Sequence, residues 1–161
     1  MPVDRPPPCY APFSGDNGGA TAPGVAADSI KVVVYRAPQS SSAQVDALVA
    51  GAASVSDADA NVAAYTGYAE ILSTYYETYG RRIDIEFFTG TGEGNDAVVA
   101  VADAETIARD LRPFIVLGGP ALTNAFADTL AARKVVCFQC TPGQPSSWYA
   151  ARDPYVWDLQ K

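Results

Sequence analysis

Phe114-Ile115-Val116-Leu117-Gly118-Gly119-Pro120-Ala121-Leu122-Thr123 is the stretch on which the fold turns. Its first four residues are all apolar, the pattern of a strand covered on both faces, since a strand with one wet face alternates instead. Two glycines and a proline break the run, and Thr123 or Asn124 starts a helix in which Phe126 and Leu130 lie one turn apart. A buried strand passing through a glycine turn into a helix is half of a βαβ unit.

The rest of the chain repeats that unit. Downstream, Val135-Val136-Cys137-Phe138 is a second continuous apolar run, and Ser146-Ser147-Trp148-Tyr149 leads through Asp153-Pro154 to a short strand, Tyr155-Val156-Trp157. Upstream, Asn95 or Asp96 caps a helix predicted to reach about Leu111, with Val98, Val101, Ala104, Ala108 and Leu111 inward and Pro113 as its stop. Before it, Ile83-Asp84-Ile85-Glu86-Phe87-Phe88 alternates, as a strand near a sheet edge does. Val62, Tyr65, Ala69, Leu72, Tyr76 and Tyr79 recur at helical steps up to Gly80, a natural stop. The tyrosines of this segment invite an aromatic ligand box, but their helical spacing favours packing against a sheet. Ile30-Lys31-Val32-Val33-Val34-Tyr35 is the first strand, rich in β-branched residues. Between it and the tyrosine helix lie a weak helical pattern at Val45–Val49 and a start signal at Ser56-Asp57-Ala58-Asp59.

Strands alternating with helices predict an α/β fold, a three-layer αβα sandwich around a parallel sheet. The expected strand order is 2-1-3-4, with the short fifth strand at the far edge. Residues 1–28, rich in Pro, Gly, Ala and Asp, read as an irregular arm, and residues 29–161 as the domain.

Composition narrows the function. The chain has 161 residues, enough for one domain with a real core and too few for two ordinary ones. A net charge of −7 disfavours nucleic acid and anionic membrane surfaces, which call for a positive face. No apolar run is long enough for a membrane helix, and no histidine is present to serve as general base or common metal ligand. The first residues, Met1-Pro2-Val3-Asp4-Arg5, lack the apolar core of a signal peptide, so the chain reads as either cytosolic or a mature form without its export signal. Cys9, Cys137 and Cys140 are the only cysteines. Cys137-Phe138-Gln139-Cys140 has redox-motif spacing but sits in and after a strand, whereas thioredoxin-type pairs open a helix. A structural disulfide between Cys9 and Cys137 or Cys140 is the expectation that competes with a redox pair.

In a parallel sheet, ligands bind outside the carboxyl ends of the strands, where helix N-termini present free N–H groups. That singles out the loops after Tyr35, Leu117 and Phe138. Gly118 and Gly119 let a ligand approach the backbone, and Thr123 adds a hydroxyl either to hold a carboxylate or to cap the helix. Cys140-Thr141-Pro142-Gly143 offers a hydroxyl and carbonyls able to receive an ammonium group. A competing site is Thr89-Gly90-Thr91-Gly92-Glu93-Gly94, which resembles the flavodoxin loop that wraps the phosphate of flavin mononucleotide. It has Gly94 in place of the last hydroxyl, and it follows the second strand rather than the first. No nucleophile stands beside an identifiable base, so the chain is expected to bind rather than transform its ligand.

Several segments carry a family likeness. Pro12-Phe13-Ser14-Gly15-Asp16-Asn17-Gly18-Gly19-Ala20-Thr21 with Gly24-Val25 and Asp28-Ser29-Ile30-Lys31-Val32-Val33 is one. Tyr75-Tyr76-Glu77-Thr78-Tyr79-Gly80-Arg81, the run from Pro113 to Leu122, and Pro154-Tyr155-Val156-Trp157 are the others. In this order and spacing the chain resembles the amino-terminal lobe of actinobacterial type 1 periplasmic-binding proteins, the solute receptors of branched-chain amino acid ABC transporters. The resemblance implies one lobe of a clamshell that holds the carboxylate and ammonium of an amino acid with Ala121, Leu122, Thr123, Cys140 and Thr141, and with Gln39 lining the cleft. It further implies an extracytoplasmic place, an ABC permease as partner, no cofactor, and no catalysis. Full members are longer, so the chain is expected to be an isolated or truncated lobe, with the second lobe and the export signal missing.

Overall fold

The computed structural model describes residues 11–38, 58–120, 122–141 and 143–159. Cys9, Gln39, Ala121 and the helical pattern at Val45–Val49 lie outside the described residues. Five strands form one parallel sheet in the order β2-β1-β3-β4-β5. They are β1 (Ser29–Arg36), β2 (Arg82–Thr89), β3 (Ile115–Leu117), β4 (Val136–Phe138) and β5 (Val156–Trp157). The helices are α1 (Ala58–Tyr75), α2 (Ala97–Thr106), α3 (Ala125–Ala132) and α4 (Ser146–Ala150). This is the α/β sandwich and strand order that the apolar runs predict.

The layers follow from crossover handedness. β1 leads outward to β2, whereas β2 leads back across β1 to β3, so right-handed crossovers set α1 on one face and α2 on the other. The return from β3 to β4 continues in the same direction and puts α3 beside α2. Their shared core is built on one row across the sheet, Val33, Val116, Cys137 and Val156, aligned by register. Ala100, Ala104, Ile107, Phe126, Ala127 and Leu130 close over it, all buried. Phe126 and Leu130 take the inward positions that their one-turn spacing predicts.

Three expectations are corrected. The first is the start of α2: Val98 is 80% exposed and Val101 39%, with Ala100, Asp103 and Ile107 buried in their stead, whereas Ala104, Ala108 and Leu111 face the core as expected. The reason is Asp103, an inward carboxylate that a count of apolar positions cannot place. Asp96 caps the helix through Val98 N–H and Val99 N–H at 3.0 and 3.1 Å. After Thr106 the helix continues as a wider π turn, Ile107–Leu111, and ends at Arg112 in the left-handed region.

The second is α1, which stops at Tyr75 instead of running to Tyr79. Glu77 ends it: one carboxylate oxygen accepts Phe13 N–H and the other accepts Gly80 N–H, both at 2.8 Å, drawing the chain into a turn with Tyr79 and Gly80 at positive φ. These backbone hydrogen bonds hold the Glu77 carboxyl below the usual carboxylate range. Val62 and Ala69 are half-buried and Tyr65 meets Phe87 edge-on, but Leu72 and Tyr76, expected against the sheet, are exposed.

The third is the disulfide. Cys137 and Cys140 are bonded to each other, with Cα atoms 5.8 Å apart, so neither is paired with Cys9. Gln139, at positive φ, turns the chain sharply enough after β4 to bring the two sulfurs together.

The described part of the arm is irregular apart from one bridge, Val25 to Ile30, and it lies at the amino edge of the sheet. Arg81 anchors it by donating to Ala26 O, Asn17 O and Gly19 O at 2.7–2.9 Å. No helix among the described residues is long and apolar enough to cross a membrane.

Candidate functional site

The carboxyl edge of the sheet is organised from below by a buried carboxylate. Asp103 accepts Thr91 N–H at 3.0 Å and the Thr91 hydroxyl at 2.7 Å, and its charge acts on the phenol of Tyr35. Burial, with the Asp103 charge adding to it, pushes Tyr35 up to about 12. Tyr35 in turn packs against Phe126, ring centroids 5.0 Å apart. A side chain on Gly90 would overlap the Tyr35 hydroxyl, so the loop after β2 crosses this group only as glycine. Thr91, the hydroxyl residue at the middle of the flavodoxin-like segment, therefore directs its donors at an internal anion. A phosphate there would have to displace Asp103.

The loop after β3 is held from both sides. Leu122 N–H donates to Gly94 O at 3.1 Å, joining it to the loop after β2, and Gly118 N–H donates to Phe138 O at 3.0 Å, joining it to β4. At Gly119 a Cβ would stand 2.7 Å from Cys140 O, so the two loops approach at backbone distance. This close contact is the requirement that the glycine pair meets.

Over that contact sits a polar cluster. The Thr141 hydroxyl donates to the Asn124 side-chain oxygen at 2.7 Å, and Asn124 Nδ2 donates to Gln144 Oε1 at 3.2 Å. Thr123 Oγ1 accepts Ala125 N–H at 3.2 Å, a local turn just before the helix, whose N-cap is Asn124 and has no side-chain cap. The turn that carries Thr141 is fixed from behind by Tyr149, whose hydroxyl lies 2.9 Å from Thr141 O and 2.6 Å from Asp158 Oδ2. Gln139 Nε2 donates to Asp158 Oδ1 at 2.8 Å and completes this clasp. Burial first, then the bond to Asp158, raises the Tyr149 phenol above its ordinary value.

Of the residues expected at the site, Thr123 and Thr141 are brought together at the head of α3. Leu122 is 76% exposed with its N–H already committed, and Cys140 is buried in the disulfide, leaving only its backbone for recognition. Asn124, Gln144 and Asp103 belong to the site or its support and were not foreseen as such. Asn124 carries a signal, an amide at a helix start, but Asp103 and Gln144 stand in no recognisable motif. A shallow depression lined by Asp128, Arg152 and Tyr155 lies elsewhere, with the Arg152–Asp128 ion pair in its wall. Among the described residues no group of three His, Cys, Asp or Glu side chains is placed to hold a metal ion. No protein-family model, curated protein or solved structure matches the chain, so the reading of its function rests on this geometry and on the residues themselves.

Proposed function

We propose that the chain is a solute-binding module, one lobe of an amino acid receptor of the ABC-transport type, which holds a small polar solute and leaves it chemically unchanged. The observation that carries the reading is the cluster of Thr123, Asn124, Thr141 and Gln144 at the carboxyl edge of β3 and β4. Hydroxyls and amides donate and accept equally well, and the first turn of α3 adds N–H groups that have no partner within the helix. A carboxylate suits those donors, and the backbone carbonyls of the turn after β4 suit an ammonium group. Such a set binds a zwitterion by both ends and contains nothing that would attack it.

The disulfide between Cys137 and Cys140 supports an extracytoplasmic place, because such bonds persist in oxidising compartments. A permease partner follows from the resemblance and belongs to the same proposal. Affinity is expected to be weak, since a single lobe leaves one side of the ligand in water and small-molecule sites gain from enclosure.

Titration of isotopically labelled protein with a panel of amino acids tests the reading. Saturable shifts centred on Thr123, Asn124 and Thr141 are expected at millimolar ligand. If no amino acid moves these resonances, the cluster is not a solute site. Shifts confined to residues 89–94 on addition of flavin mononucleotide would replace the reading with an electron carrier.

A further inference from the structure

The last residues of β1 and β2, Arg36 and Thr89, stand side by side in register at the carboxyl edge. Side chains alternate between the faces of a sheet, so both lie on the face opposite Tyr35 and Phe88. They share that face with Val34 and Phe87, and α1 covers it through Tyr65. Arg36 Nη2 donates to Thr89 Oγ1 at 2.9 Å, and the guanidinium carbon stands 5.5 Å from the centre of the Phe87 ring. Gly90 N–H donates to Arg36 O at 2.8 Å and ties the two strand ends together.

Arg36 Nε, by contrast, has no acceptor. Among the described residues it is the one buried side-chain nitrogen or oxygen without a hydrogen-bond partner. Buried donors are nearly always paired, so an unpaired one calls for a reason. Phe87 attracts the charge through its ring but offers no oxygen to the N–H. Position sharpens the case. Of the other basic residues described, Lys31 lies early in β1, and the rest precede or open β2, β3, β4 or β5, toward the amino edge. Arg36 alone among them stands at the edge where a parallel sheet opens its ligand sites. It pairs with no carboxylate among the described residues, whereas Lys31, Arg82, Arg109, Arg133 and Arg152 each have one.

We propose that Arg36 and Thr89 form an oxyanion site at the carboxyl edge of β1 and β2, which takes the carboxylate of a small acidic solute. Thr89 Oγ1 accepts from Nη2, so its own O–H remains a donor. Arg36 Nε–H and Thr89 O–H then offer two donors to the two oxygens of one carboxylate, in charge-assisted geometry. Arg36 is half-buried and Thr89 exposed, so the ligand arrives from the Thr89 side. A phosphate dianion brings more oxygens than the site has donors, and more negative charge to a chain that already carries −7. The site lies on the α1 side of the sheet, whereas the cluster of Thr123, Asn124 and Thr141 sits at the head of α3, so it does not rest on the zwitterion reading.

Proton–nitrogen NMR of the arginine Nε–H signals tests it, with glutarate, its uncharged diamide and inorganic phosphate as probes. Ionic strength is held constant with chloride, which separates binding from screening. Glutarate at millimolar concentration should shift the Arg36 Nε–H signal saturably, and the diamide should not. This readout uses the wild-type chain, so it does not depend on a variant that folds. Arg36→Lys keeps the charge and loses the Nε–H. It should weaken glutarate binding, followed at the amides of residues 89–90, by about tenfold to a hundredfold, the effect of one hydrogen bond to a charged group. Thr89→Val should weaken it as well, and Thr89→Ser should restore it. An Arg36 signal indifferent to glutarate, equal binding by Arg36→Lys, or phosphate bound more tightly than glutarate overturns the proposal.

Discussion

Replacing Asp103 by alanine probes the part of the structure on which the candidate site stands. Asp103 is 3% exposed, and its carboxylate accepts the Thr91 N–H and the Thr91 hydroxyl. Hydrogen bonds to a charged group contribute about 1.5–3 kcal/mol each, and a buried donor left without a partner costs about 1–3 kcal/mol. The Thr91 hydroxyl can rotate toward another acceptor, but the Thr91 N–H is fixed by the backbone. Removing a buried charge also relieves its desolvation, which offsets part of the loss. The balance is a destabilisation of about 3 kcal/mol for Asp103→Ala, or about 10 °C in the melting midpoint of a chain this size. Asp103→Asn keeps one acceptor and should lose about half as much. Urea unfolding monitored by dichroism gives the number. The effect should also travel: with Thr91 released, the Gly94 O to Leu122 N–H bond weakens, and amide exchange at Leu122 should accelerate. An Asp103→Ala protein within about 0.5 kcal/mol of wild type would show that this carboxylate supports nothing, since changes of that size are typical of inert surface positions.

Other outcomes follow from the same structure. In a spectrophotometric titration of the nine tyrosines, Tyr35 should ionise last, near pH 12. Because its folded-state pKa is raised above the ordinary 10.0, the stability that it contributes is complete below pH 10 and is lost as pH rises from 10 to 12; phenolate formation at pH 10 for every tyrosine of the folded chain would refute this. Peptide mapping without reduction should find Cys137 linked to Cys140, and reduction should destabilise the fold by about 2 kcal/mol, the chain-entropy value for so short a loop; a peptide linking Cys9 to either would contradict the structure. Thr141→Val should remove the bond to Asn124, cost about 1 kcal/mol, and abolish amino-acid-induced shifts at Asn124, whereas Thr141→Ser should retain them. Gly119→Ala, forced against Cys140 O, should destabilise by about 1–3 kcal/mol, and a neutral result would mean that the loops after β3 and β4 do not approach as closely as the structure has them.

The sheet was legible because its signals are local. A run of four apolar residues such as Phe114–Leu117 already tells that both faces of the strand will be covered, whatever covers them. The alternation in Ile83–Phe88 already tells that this strand lies toward an edge, and crossover handedness then leaves few ways to order the strands. That Thr123 and Thr141 lie on one edge was legible for a related reason: in a parallel sheet the loops after adjacent central strands must open on the same edge.

What those loops contain once they meet was decided by the tertiary structure. Asn124 and Gln144 are twenty residues apart and become partners only because α3 starts beside the turn after β4. Asp103 looks like any polar residue on a helix until the loop after β2 supplies Thr91, and it stands buried on the side of α2 where Val98 and Val101 do not. The cysteine pairing depended on the backbone reversal at Gln139, a conformation that residue type alone does not dictate. The same holds for α1, whose sequence shows one apolar stripe too many and cannot say which of them the sheet will cover. Periodicity and composition act on neighbours along the chain and so determine the elements and their order, whereas hydrogen-bond partners and burial depend on residues that only folding brings within 3 Å, and these decided the site.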